Sequence, residues 1–171
     1  MSAPGIRIRP ESLSDVPAIS RVTAAAFRTA SNASPTEELI IGALRKAGKL
    51  TVSRVAIHDD EVVGHVAASP VTLSAGAGSW YGLGPVSVLP SHQRRGIGSA
   101  LVMDALLALS GSGAAGCVVL GSPLFYERFG FKANDALTLP GVPPENFLAV
   151  AFDSSSARGT VSYHQAFQAR N

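Results

Sequence analysis

Apolar and polar positions alternate along Ile6-Arg7-Ile8-Arg9 before Pro10, which predicts a short first strand ending at a residue with no N–H to give to a ladder. The period then changes. Val16, Ile19, Val22, Thr23 and Ala26 recur at helical spacing, predicting a helix to about Phe27, capped by Ser14 or Asp15 and with Pro17 tolerated in its first turn. The Ser-, Ala- and Asn-rich segment from Arg28 to Pro35 reads as a loop. Pro35-Thr36-Glu37-Glu38 then opens a second helix that runs through Lys46 and stops at Gly48.

Leu50 to His58 and Glu61 to Ser69 are apolar, β-branched runs around the turn pair Asp59-Asp60, and a third run spans Trp80 to Leu89, predicting an antiparallel meander. Ser99 to Leu109 is a helical stretch apolar on nearly every face, so it must lie against a sheet. Gly111 to Gly116 reads as a turn, Cys117 to Leu120 as a strand, Pro123 to Phe129 as a short helix, and Phe131 as the start of another extended stretch. Pro140, Pro143 and Pro144 interrupt the tail, leaving Phe147 to Phe152 as the last strand, and no clear pattern follows Asp153. An antiparallel meander followed by strand-helix-strand units predicts an α/β (α+β) fold, a mixed sheet covered by helices. The chain of 171 residues fits a single domain over residues 1–171, since no repeat or long Pro/Gly/Ser linker divides it.

Composition narrows the function classes. At 46% hydrophobic and 15% charged, the chain can bury enough apolar surface to fold. A net charge of +2 is too small to make nucleic acid the expected partner. The single cysteine, Cys117, cannot form an intrachain disulfide, and no His/Cys cluster has zinc-site spacing, so no metal is expected. Met1 to Pro10 lacks the apolar run of a signal peptide, and Asp104 breaks the longest apolar stretch, Ala100 to Leu109, well short of a membrane span. The expectation is a soluble cytoplasmic protein without a membrane partner.

The most informative segment is Gln93-Arg94-Arg95-Gly96-Ile97-Gly98-Ser99, where two glycines flanked by arginines stand at a helix N-terminus. Such a place binds anions, because first-turn N–H groups lack intrahelical partners and the helix dipole is positive there. Arg94 and Arg95 add charge suited to a pyrophosphate. The alternative is a tight turn with solvated arginines. The sequence has no G-x-x-x-x-G-K-[ST] loop and lacks the third glycine of a dinucleotide fingerprint, which disfavours triphosphatase and Rossmann readings.

Gln93 to Gly98 resembles the Q/R-x-x-G-x-G/A motif of the GCN5-related N-acetyltransferases (GNAT), and the strand before it and the helix after it match the family's order. The second half is similar to the YhbS-like branch. The resemblance implies a mixed, mostly antiparallel, splayed central sheet flanked by helices, with acetyl-coenzyme A as co-substrate. It implies that Gln93, Arg94, Arg95, Gly96, Ile97, Gly98 and Ser99 hold the pyrophosphate. Gly84-Pro85 reads as a bulge or break in pairing, and the resemblance implies that the resulting cleft takes the pantetheine arm along Val86 and Val88. Tyr126, in Tyr126-Glu127-Arg128-Phe129-Gly130-Phe131, matches the family's Y-E-x-x-G-F pattern, which implies that its phenol protonates the departing thiolate. Without the resemblance Tyr126 reads equally as a packing aromatic.

The base is open among Glu37, Glu38, Glu61, His65 and His92, each of which also reads as a cap, turn or solvated side chain. Cys117 reads as a small core residue. The function expected is acetyl transfer to a primary amine of a small molecule or protein by an acyl-CoA-dependent N-acyltransferase. A non-catalytic coenzyme A-binding module and a structural domain with a vacant loop are the competing readings, and a homodimer is compatible with all three.

Overall fold

A computed structural model describes residues 5–28 and 36–169, so most of the loop expected between the first two helices lies outside the described residues. The chain divides into two compact units, one of Met1–Ala68, Gly84–Ala105 and Gln165–Asn171, the other of Ser69–Leu83 and Leu106–His164. Three elements contribute residues to both: strands β3 (Glu61–Gly76) and β4 (Trp80–Val88) and helix α3 (Ile97–Gly111).

In the first unit β1 (Arg7–Pro10) pairs antiparallel with β2 (Val52–His58), from Arg7↔Ile57 to Pro10↔Arg54, and β2 pairs with β3 from Val52↔Ala68 to His58↔Glu61. The β2–β3 connection is tight because Asp59 and Asp60 both take the left-handed conformation, at φ 49° and 63°, which matches the twist of a two-residue hairpin. Helices α1 (Val16–Arg28) and α2 (Glu37–Lys46) supply Ile19, Val22 and Ile41 to a core closed by Val55, Ile57 and Val62. Gly64 lies so near α3 that a Cβ there would stand 3.0 Å from the Leu101 side chain and 3.3 Å from Ile97.

The second unit is built on β5 (Gly116–Leu120), parallel to Trp80–Leu83 of β4 and antiparallel to β8 (Phe147–Ala151), which also pairs with β6 (Lys132–Ala133). β9 (Ala157–Tyr163) runs antiparallel to Val71–Gly76 of β3 and parallel to β7 (Leu137–Thr138). Val71, Trp80, Val118, Leu137, Phe147 and Val161 form its core. Most pairings are thus antiparallel, as expected. Among the described residues no helix is long and apolar enough to cross a membrane.

Several boundaries differ from the sequence reading. The first helix is entered through a 3-10 turn, Leu13–Asp15, and its N-cap is Ser12, not Ser14 or Asp15. Asp15 instead accepts from the Ser12 backbone N–H at 2.7 Å and from both terminal nitrogens of Arg9 at 2.7 and 3.0 Å. β3 continues past Ser69 to Gly76, because β9 supplies a partner that local sequence does not reveal. α3 begins at Ile97, and the short helix splits into α4 (Pro123–Tyr126) and a 3-10 turn, Glu127–Phe129.

Candidate active site

The loop between β4 and α3 begins with a 3-10 turn at Pro90–His92, after which Gln93 donates through Nε2 to the Val88 carbonyl at 3.1 Å. Arg94 takes φ 64° and Gly96 φ 82°, so two left-handed residues turn the chain sharply into the helix. The first intrahelical bond there is Ala100 N–H to the Gly96 carbonyl at 3.0 Å, which leaves the N–H groups of Ile97, Gly98 and Ser99 without backbone partners. Apart from its chain neighbours, nothing among the described residues lies within 4 Å of a Cβ built on Gly96. Arg94 and Arg95 are exposed, whereas Ile97 is buried and anchors the helix start. Unpartnered amides, open space and two exposed cations are groups that could accept a phosphate.

Strand β4 carries Gly84 at φ 127° and a cis Gly84–Pro85 peptide, and its ladder with β5 ends at Leu83. Val86 and Val88, expected to face the coenzyme, are half-buried and follow that break.

In the second unit Tyr126 closes α4. Ser122 is its N-cap, with Pro123 at the first helical position, and the Tyr126 N–H donates to the Ser122 carbonyl at 3.1 Å. The ring packs edge-on against Phe125 at 4.9 Å and Phe131 at 5.7 Å between centroids. A Cβ on Gly121 would overlap the Tyr126 ring, so the glycine makes its seat. Burial, with a smaller contribution from Cys117, pushes the phenol up to about 12. Tyr126 therefore keeps its proton at neutral pH. Cys117 is fully buried, and burial pushes its thiol up as well, so it is no nucleophile.

The five candidate bases separate clearly. Glu61 is exposed at the start of β3; Glu37 and Glu38 stand half-buried in the first turn of α2. His92 bonds Ser91 at 2.8 Å and meets the His58 ring edge-on at 5.3 Å. His65 is the exception to a solvated reading, since it has no exposed surface at all. Its Nε2 lies 2.8 Å from Ser53 Oγ, and Ser53 hydrogen-bonds Glu11, which accepts both Nε at 3.0 Å and a terminal nitrogen at 2.9 Å from Arg45. The role of Glu11, Arg45 and Ser53 was not readable from the sequence, where positions 11, 45, 53 and 65 show no common spacing. Among the described residues no three His, Cys, Asp or Glu side chains gather as metal ligands.

Residues 51–133 match the family described as acetyltransferase (GNAT) domain. The N-acetyltransferase YhbS of Escherichia coli K12, itself described as uncharacterised, is 33% identical over 167 residues, 94% of this chain and 97% of that protein. Its crystal structure in complex with CoA superposes with a TM-score of 0.85 at 30% identity, covering 100% of this chain and 96% of that one. A GNAT family acetyltransferase from Brucella melitensis, crystallised with acetyl-CoA, is 44% identical with a TM-score of 0.84, covering 95% of this chain and 97% of its own. The family match and the near-complete coverage by YhbS show that this chain belongs to the GNAT family of acyl-CoA-dependent acetyltransferases, in the branch represented by YhbS.

Proposed function

We propose that the chain binds acetyl-CoA and transfers the acetyl group directly to a primary amine, as one acetyltransferase domain. The observation that carries this reading is the loop from Gln93 to Ser99, with its three unpartnered amides and its unfilled space at Gly96. The complexes of the Brucella protein with acetyl-CoA and of YhbS with CoA support the same co-substrate here. In this reading the amides of Ile97, Gly98 and Ser99 bind the pyrophosphate and Arg94 and Arg95 neutralise it. The backbone at Val86 and Val88 pairs with the pantetheine arm in the manner of an added strand.

The amine nitrogen attacks the thioester carbonyl carbon, the C–N bond forms, and the C–S bond then breaks. The sulfur leaves with a proton from the Tyr126 hydroxyl, the nitrogen gives one of its own to solvent, and an equivalent proton from solvent restores the phenol. No covalent enzyme intermediate is needed. The free, buried Cys117 fits a reducing compartment such as the cytoplasm.

The test is an amine screen, small molecules and peptides alike, following free thiol released from acetyl-CoA. Thiol release that depends on an amine supports the reading. Tight acetyl-CoA binding with no release for any amine would make the chain a coenzyme-binding module, and absence of binding would remove the assignment of the loop.

A further inference from the structure

A cavity of about 160 Å³ opens in the second unit between β7 and the segment that leads into β8. Turns held by backbone bonds build its walls. The Leu137 N–H donates to the Asn134 carbonyl at 3.0 Å and the Val142 N–H to the Leu139 carbonyl at 3.3 Å, while pairing of Leu137 with Gly159 fixes the strand between the turns. Leu137 and Phe147 are buried there, and Leu139 and Val142 are half-buried. Asp135 is the only charged residue of the lining; it is exposed and makes no ion pair with the other described residues. An apolar hollow with one solvent-facing carboxylate matches a short hydrocarbon chain that ends in a cation.

The cavity adjoins the seat of Tyr126. Phe147 stands opposite Leu120 in the β5–β8 ladder. The next residue, Gly121, donates its N–H to the Asn146 carbonyl at 2.9 Å and accepts from Asn146 Nδ2 at 3.3 Å. Gly121 is the residue against which the Tyr126 ring packs. Leu120, 44% exposed at the end of an otherwise buried strand, leaves apolar surface uncovered between the cavity and that seat.

Volume sets the length of the occupant. At about 30 Å³ for each small group in a condensed phase, the cavity has room for about five. It is well below the ~300 to 1,000 Å³ of sites that enclose a whole ligand, so it takes a substituent and leaves the reacting end outside. Building on the acetyl-transfer reading, we propose that the acceptor is a diamine whose chain of about five carbons lies in this cavity, with its distal ammonium at Asp135 and its reacting nitrogen directed past Leu120 toward Tyr126. A diamine meets both demands, because transfer consumes one nitrogen as the free amine while Asp135 holds the other as a cation.

The experiment measures acetylation of diaminopropane, diaminobutane, diaminopentane and diaminohexane, with pentylamine as the chain that carries a single nitrogen. KM should fall about fourfold for each added methylene, the scale of one buried CH₂, and level off near about five carbons, when the cavity is full. Pentylamine should show a KM about fivefold above that of diaminopentane, the upper scale for an ion pair that water still reaches. Asp135→Asn should remove that difference, and Val142→Phe, which fills the cavity, should raise KM across the series; both losses fall on KM and not on kcat. KM values that ignore chain length, or an Asp135→Asn protein that keeps the parent's preference for diaminopentane, would overturn the proposal while leaving acetyl transfer to other amines intact. If the parent acetylates none of these amines, the methyl resonances of Leu137, Leu139 and Val142 decide. Resonances moved by diaminopentane in the parent and not in Asp135→Asn would keep the cavity as a diamine site and count against acetyl transfer. Unmoved resonances would overturn the cavity, and acetyl transfer would then stand or fall on the amine screen alone.

Discussion

Burial raises the Tyr126 phenol to about 12, so it is protonated at neutral pH, and Gly121, Phe125 and Phe131 fix its ring. A donor to a departing thiolate acts only as charge builds on sulfur, so its loss should appear in rate and not in affinity. Tyr126→Phe should therefore reduce kcat by about 100-fold or more while calorimetric titration with acetyl-CoA shows unchanged binding. A twofold effect on kcat would return Tyr126 to the packing role its aromatic neighbours also support. Tyr126 stands out in the sequence because its neighbours along the chain carry the pattern, and its catalytic role rests on that kinetic comparison. His65 was legible only as a polar residue in an apolar strand. Its hydrogen-bonded group of Glu11, Arg45 and Ser53 is brought in from three other segments, and no local period encodes such a meeting.

At the scale of elements, the loop into α3 offers amides, space and charge, and these respond differently to mutation. Gly96 lies at φ 82° and, apart from its chain neighbours, has nothing among the described residues within 4 Å of an added Cβ, so Gly96→Val strains the backbone and fills the space proposed for the anion without disturbing the core. Acetyl-CoA binding should disappear while the circular dichroism of the variant remains that of the parent. Arg94→Ala or Arg95→Ala should weaken binding by about 1 to 3 kcal/mol, the scale of hydrogen bonds to charged groups, and added salt should reduce the parent's affinity in the same direction. Affinity indifferent to both would leave the amides alone to hold the phosphates. The helix start could be read from Gly96 and Gly98, although Gly98 hid the first turn and moved the expected start to Ser99. β9 could not be read. Only Val161 of its seven residues is buried, so the strand has almost no apolar alternation, and it is held by pairing with β3 and β7.

For the whole molecule, the buried polar groups set how stability depends on pH. Arg9 holds the Asp15 carboxyl well below its ordinary value, with the Ser12 N–H adding to the effect, so this group stabilises the fold above about pH 4 and loses that contribution in stronger acid. His65 acts in a higher window. Burial lowers it from 6.5 to about 4 in the folded chain, so between those values the unfolded chain takes up a proton that the folded chain refuses. Stability is therefore complete above the unfolded value and falls as pH drops from about 6.5 to about 4, by about 3 kcal/mol over the whole range. Urea unfolding at about pH 7 and about pH 5, followed by circular dichroism, should show the parent losing stability across this interval. His65→Gln, with no group to titrate there, should lose far less, even if it starts from a lower value. Equal losses in the two proteins would mean that the folded chain protonates His65 as readily as the unfolded one. Burial would then impose no cost on the imidazolium.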